Sequence, residues 1–551
     1  MRVFEAVARE VSRLGIRVGF ALMSEEVAQL MVELGRQGVE LFLSRHEAGA
    51  VGMADGFGRA AGSPAVAVIG RGPGLTNAMT ALTTAARSHT PLLVLAGAPS
   101  ADDPHQRDPK QLGQETLLAA AGIPHVTVTG AESAVSCLRA AHARATRGET
   151  VVLNLRMDTL AADIEGESDS EVGPPPPQVA LPDRSAVSLV ADLLSETWAA
   201  SRPVILAGRG AFRAGARREL AELADRTGSL LGTTLMANSM FSGHPFDIGV
   251  VGTFSPPDAA ELLRNADLVL AFGAALNPFT TYGGALFNKT RIAQFDSDPA
   301  AFGRFLEPDI AVLGDARQAA AALLEELATR GHQSNGYRSP AVAERIAAAR
   351  TGQNFVDRSR PGAIDPRTLM RALDEVLPRE RVLVVDPGHH LTFSCTYLTV
   401  PGPDHFVFPV DFGAVGSAAS VALGVAIARR ESTTVLAIGD GGLMMALADL
   451  QTAARYALRL VVVVSNDSGF GAEVHYLQAL GLPDELARYK NPSFEQVGRA
   501  LGFDAATVTT VEEVSQLRGR LDNIVGPVLL DCRVASEVRA EWIEFYYLGK
   551  R

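Results

Sequence analysis

With 551 residues, the chain has room for three or four domains of about 150 residues each. Its composition, 47% apolar and 20% charged, excludes wholesale disorder. A net charge of −12 without a basic tract argues against nucleic acid and anionic membrane surfaces as partners.

The N-terminal MRVFEAVAREVSRLG reads as an amphipathic helix without a signal-peptide cleavage site. Residues 1–163 then alternate buried apolar runs (Val39–Leu43, Ala65–Ile69, Pro91–Leu95) with alanine-rich helical stretches such as Ala48–Ala61. That is the rhythm of parallel strands and crossover helices. Residues 164–184 turn acidic and carry four consecutive prolines, a stiff linker. A second block, 185–328, holds PVILAGRGAFRAG. Gly208 and Gly210 hint at a dinucleotide fingerprint, but Arg213 stands where its third glycine belongs, so a plain βαβ turn is the better reading. Residues 329–363 read as another linker, 364–540 as a third α/β block, and 541–551 as an aromatic tail.

The longest charge-free apolar stretch, 412–428, is broken by Gly and Ser and too short to span a membrane. Cys137, Cys395 and Cys532 lie far apart and outside any CxxC pair. This predicts free thiols, a reducing compartment and a cytoplasmic protein. The expected fold class is α/β, with three doubly wound parallel-sheet domains.

The most informative segment is 433–471. A buried strand, VLAI, ends in Gly439-Asp440-Gly441-Gly442. A helix with apolar residues at 443, 444, 447, 450, 453, 454 and 457 follows, and then a second buried strand, LVVVV, ends in Ser465-Asn466-Asp467-Ser468-Gly469. A right-handed crossover makes the strands parallel and opens both carboxyl ends on one sheet edge. Neighbouring strands lie about 4.8 Å apart, so Asp440 and Asp467 can reach one point. Two hard oxygen donors beside glycines and a helix N-terminus suit Mg²⁺ with a phosphate. Either segment alone reads as a helix cap or a turn; their pairing on consecutive strands favours the site.

GDG followed about 27 residues later by an Asn/Asp-rich turn resembles the motif of thiamine diphosphate (ThDP) enzymes, in particular the acetolactate synthase and benzoylformate decarboxylase group. The resemblance covers nearly the whole chain in the family's order: pyrimidine-binding, central and diphosphate-binding domains. It implies Asp440, Asp467 and the carbonyl of Gly469 as Mg²⁺ ligands, with Asn466 as the alternative side chain and Gly439, Gly441, Gly442 and Phe470 in the cofactor cradle. The family's second ligand is usually Asn, and Asp467 departs from that.

In LFLSRHEAGAVGMADGFGRAAG, Glu47 matches the glutamate that hydrogen-bonds N1′ of the aminopyrimidine. GPGLTN resembles the loop placing Pro73 and Asn77 near that ring, and LGQETLL points to Gln114 as an active-site amide. VVDPGHH puts His389 and His390 beside the diphosphate, His390 at the family histidine. DFGAVG puts Val415 at the residue wedged between the cofactor rings, usually a longer Met or Leu.

Two departures bear on specificity. The Gly-x-Pro-Gly loop after the first strand is replaced by VGFALMSEE. The arginine of the central domain's FAD stretch is absent from FGAALNPFTTYGG, which argues against FAD. The resemblance implies a ThDP- and Mg²⁺-dependent carboligase or decarboxylase that takes a 2-oxo acid and a carbonyl acceptor. It further implies a homodimer or homotetramer with active sites shared between chains, and water exclusion by the aromatic tail. Alternatives are a C–C lyase of the 2-hydroxyacyl-CoA type, with Arg209 and Arg213 as phosphate partners, a simple 2-oxo acid decarboxylase, and a non-catalytic subunit.

Overall fold

The computed structural model describes residues 1–101, 109–164, 180–196, 202–351, 355–540 and 542–548. Most of the first expected linker, 165–179, lies outside the described residues. Three six-stranded sheets form, and every strand pair in them is parallel.

The first sheet comprises β1 (Val18–Ala21), β2 (Glu40–Leu43), β3 (Ala65–Ile69), β4 (Leu92–Ala98), β5 (His125–Val128) and β6 (Thr150–Arg156). The second comprises β7 (Pro203–Ala207), β8 (Leu230–Thr233), β9 (Asp247–Val250), β10 (Leu268–Phe272), β11 (Arg291–Asp296) and β12 (Ile310–Leu313). The third comprises β13 (Arg381–Val385), β14 (Phe406–Val407), β15 (Thr433–Gly439), β16 (Leu460–Asn466), β17 (Asp504–Val508) and β18 (Val528–Arg533).

The first and third sheets share one strand order, β2-β1-β3-β4-β6-β5 and β14-β13-β15-β16-β18-β17, although no sequence repeat relates them. The central sheet runs β12-β11-β10-β7-β8-β9, the 3-2-1-4-5-6 order of dinucleotide-binding folds. Its β7 turn lacks the third fingerprint glycine, and Gly208 has a packing role: a Cβ there would lie 2.2 Å from the Gly273 carbonyl oxygen. Segment 329–363, read as a linker, carries a helix over Pro340–Thr351 whose Ile346 is buried in the central core.

The first and third domains share one hydrophobic core. Helix Glu47–Ala61 lies against helix Ser417–Ala428 so closely that a Cβ on Gly424 would sit 1.9 Å from the Met53 carbonyl oxygen. Between β15 and β16 the expected single helix is two, Asp440–Met445 and Leu447–Arg455, broken at Ala446. The break keeps Leu443 and Leu450 buried and turns Met444, expected on the apolar face, outward. Among the described residues, no helix is long and apolar enough to cross a membrane. All three cysteines are free thiols.

Candidate active site

β15 and β16 pair in parallel with Gly439 opposite Ser465, so the chain leaves both strands at the same edge. Asp440 is buried there and Asp467 nearly so. Burial, then the negative charge of Asp467, pushes the Asp440 carboxyl up to about 7. Burial pushes Asp467 up to about 6, against the pull of His475. The Gly469 N–H favours the ionised form of both carboxylates, which places them around one point.

The turn after β16 is held from outside. Phe470 N–H donates to the Ala487 carbonyl (2.9 Å) and Tyr489 N–H to the Ser468 carbonyl (3.1 Å). Phe470 and Tyr489 then close over Gly441, where a Cβ would lie 2.6 Å from the Phe470 ring and 2.8 Å from the Tyr489 hydroxyl. Only glycine fits below this aromatic pair.

Asn466, the alternative ligand, is turned away from that role. Its Nδ2 donates to Asp531 (2.7 Å) and its Oδ1 accepts from Asn491 (3.1 Å), so both ends of the amide are engaged by neighbouring side chains. Asn491, which the sequence does not single out, also donates to Asp440 Oδ2 at 2.6 Å. Asp386 was missed too. It ends β13 as Asp440 ends β15, and it accepts from the Gly416 (2.8 Å) and Ala418 (3.0 Å) amides, fixing the loop that bears Val415. Its position at a strand's carboxyl end was the signal available in the sequence.

Asp440, Asp467, Gly439, Gly441, Gly442, Gly469, Phe470, His389, His390 and Val415 all line one cavity of about 720 Å³ between the third and central domains. His389 Nε2 accepts from the Ala540 N–H (3.0 Å), and its Nδ1 faces Asp467 at 3.8 Å. His390 is buried with the Pro387 backbone close to its ring, and the buried Ser465 hydroxyl, which lines the same cavity, is unpartnered. Burial lowers His389 to about 4 and His390 to about 3, so both rings are neutral at pH 7. The C-terminal helix Trp542–Leu548 bridges the cavity's two sides. Phe545 stacks on Tyr282 (4.6 Å) and Tyr546 on Phe279 (5.3 Å) of the central domain, while Tyr547 meets Tyr476 (4.9 Å) of the third.

Glu47 is built elsewhere. It opens its helix after His46, whose ring accepts from the Ala48 N–H. Asn77 donates to its carboxylate at 3.0 Å, and Gly74, one residue after Pro73, packs beside it. From the third domain, Asp449 reaches the Arg45 backbone and Gln451 accepts from the Arg45 side chain. Glu47, Asn77 and Pro73 thus form one cluster, but among the described residues lining the cavity none of them is included. Gln114 is buried, with its amide spent within the first domain: it accepts from Gly72 N–H and donates to the Gly97 carbonyl and Asn154. It positions the turn before Pro73 and offers no free amide donor.

The residues present fit the group their pattern suggests. Two facing buried carboxylates are electrostatically incomplete without a cation. Among the described residues no cluster of three or more acidic, histidine or cysteine side chains is assembled for a metal, and two carboxylates suit an ion that keeps waters and accepts phosphate oxygens. The buried His390 ring and the unpartnered Ser465 hydroxyl supply polar groups for a diphosphate.

Comparison with known proteins identifies the family. The sequence matches the family models for the thiamine pyrophosphate enzyme N-terminal TPP binding domain over residues 1–120, the central domain over 188–323 and the C-terminal TPP binding domain over 386–532. The chain belongs to the thiamine pyrophosphate enzyme family, in its acetolactate synthase-like branch, and is a ThDP-dependent enzyme, a carboligase or decarboxylase. It is 28% identical to a sulfoacetaldehyde acetyltransferase of Rhodobacter capsulatus, over 96% of this chain and 98% of that protein. It is 26% identical to the acetolactate synthase isozyme 3 large subunit of Escherichia coli K12 (94% and 92% covered). It is also 26% identical to a probable 2-ketoarginine decarboxylase of Pseudomonas aeruginosa (93% and 90% covered).

Proposed function

We propose that this protein is a Mg²⁺-dependent ThDP enzyme that decarboxylates a 2-oxo acid and joins the remaining acyl unit to a second carbonyl compound. The observation that carries this is the convergence of Asp440 and Asp467 at the carboxyl ends of β15 and β16. Asp440, Asp467 and the Gly469 carbonyl would hold Mg²⁺, and His390 and Ser465 would face the diphosphate. Bound there, ThDP supplies the electron sink for decarboxylation.

The chain's own groups do the rest. Val415 supports the cofactor from a loop pinned by Asp386. Glu47 exchanges a proton with the aminopyrimidine, oriented by the Asn77 amide. The aromatic C-terminal helix limits water at the cavity. Because Glu47 does not line the cavity of its own chain, we read the working unit as a homodimer, or a dimer of dimers, in which a second copy supplies it. The three free thiols suit a reducing, cytoplasmic setting.

The test is incubation with ThDP, Mg²⁺ and a panel of 2-oxo acids, following carbon dioxide release and coupled products by mass spectrometry. Ligation products are expected. Carbon dioxide with aldehyde alone would make the protein a simple decarboxylase, and no turnover with any acid would remove the reading.

A further inference from the structure

The central-domain side of the cavity carries a group of arginines to which the proposed cofactor site gives no role. Arg209 and Arg213 bound the short helix after β7 and line the cavity, as does Arg87, at the end of helix Pro73–Arg87. Arg209 donates to the Ser88 carbonyl (3.2 Å) and pairs with Asp411 (3.3 Å). The Arg87 guanidinium lies 4.6 Å over the Phe412 ring. Arg59, just behind, is matched by buried Asp55 through two hydrogen bonds (2.7 and 3.1 Å). That leaves Arg87, Arg209 and Arg213 beside Asp411, with Asp296, Asp298 and Arg304 also in the cavity lining. Among the described residues, Arg213 has neither a hydrogen bond nor an ion pair, although it faces the cavity. The Arg213 side chain is exposed to the cavity; partial desolvation, and then the positive charges of Arg209 and Arg59, lower its pKa against the pull of Asp411. In a chain of net charge −12, such a group of arginines attracts anions.

We propose that Arg213, backed by Arg209 and Arg87, is a subsite for an oxyanion group (carboxylate, sulfonate or phosphate) carried by a substrate at the end away from its reacting carbonyl. Asp411 and Phe412 sit in the loop that bears Val415, four residues on, a span of at most about 14 Å. A planar guanidinium with no partner of its own offers two parallel donors to such a group. The subsite rests on the reading that this cavity receives the substrate, and it names one partner of the reaction as an acid with a second negative charge.

The test uses the ThDP- and Mg²⁺-loaded enzyme with matched pairs: 2-oxobutanoate and 2-oxoglutarate as donors, propanal and succinic semialdehyde as acceptors. The wild type should prefer the charged member of at least one pair. In Arg213→Gln the ratio of kcat/KM, charged over uncharged, should fall about tenfold to a hundredfold, mainly through KM, and Arg213→Lys should keep part of the preference. An unchanged ratio, or equal losses on both members, would overturn the subsite. Should the wild type turn over none of the four, calorimetric titration with glutarate decides the subsite apart from the functional reading. Binding weakened at least tenfold by Arg213→Gln sustains it. A wild type that binds no glutarate, or binds ADP in its place, removes it.

Discussion

In their ionised forms Asp467 and Asp440 each carry a burial cost that a cation offsets. Their folded-state pKa values, about 6 and about 7, lie above the ordinary carboxylate value near 3.9. Between about pH 4 and 7 the folded metal-free protein therefore binds more protons than the unfolded chain, and this pair's contribution to stability falls as pH rises. Mg²⁺ needs the ionised forms, so the rise in Tm on adding Mg²⁺ should grow from pH 5.5 to pH 7.5. Differential scanning fluorimetry in buffers of matched ionic strength checks this, and a shift that is flat with pH would count against the metal clip. For Glu47, the Glu47→Gln variant should bind ThDP within a few-fold of wild type yet lose about 10²–10⁴ in kcat, the usual range for a lost proton-transfer group. Near-normal turnover would take Glu47 out of the mechanism.

Among elements, the contact between helices Glu47–Ala61 and Ser417–Ala428 governs how the Glu47 end of the first domain sits on the third. Gly424 has no room for a side chain against the Met53 carbonyl. Gly424→Ala should therefore destabilise the protein by about 1–3 kcal/mol, the range for overpacking, as measured by urea denaturation. A neutral result would mean that the helices separate readily. The strands were legible because continuous Val/Ile/Leu runs mark sheets covered on both faces; the starts of β4 (LLVL) and β16 (LVVVV) are such runs. The break at Ala446 was not legible, since its flanking residues all suit one continuous helix and only packing against the neighbouring strands divides it.

For the whole molecule, the separation of Glu47 from the Asp440 cavity within one chain predicts complementation. Glu47→Gln and Asp440→Asn homodimers should each be nearly inactive. Mixed and allowed to exchange subunits, they should recover up to about a quarter of wild-type activity, because half the dimers are then mixed and each mixed dimer holds one intact site of two. No recovery, with exchange verified by mass spectrometry, would argue for sites built within single chains.

The local chemistry of the site was written in the sequence. An aspartate at the carboxyl end of each of two buried strands, the first of them flanked by glycines, converges with its partner because parallel strands and right-handed connections leave few alternatives. Long-range packing decided the rest. It withdrew Asn466 and Gln114 into internal hydrogen bonds, brought Asn491 to Asp440 from 51 residues away, and set Arg87, Arg209 and Asp411 from three domains around one wall. Such contacts have no sequence period: they depend on how sheets and helices stack, and a polar side chain looks the same in sequence whether its partner is a substrate or a neighbouring backbone amide.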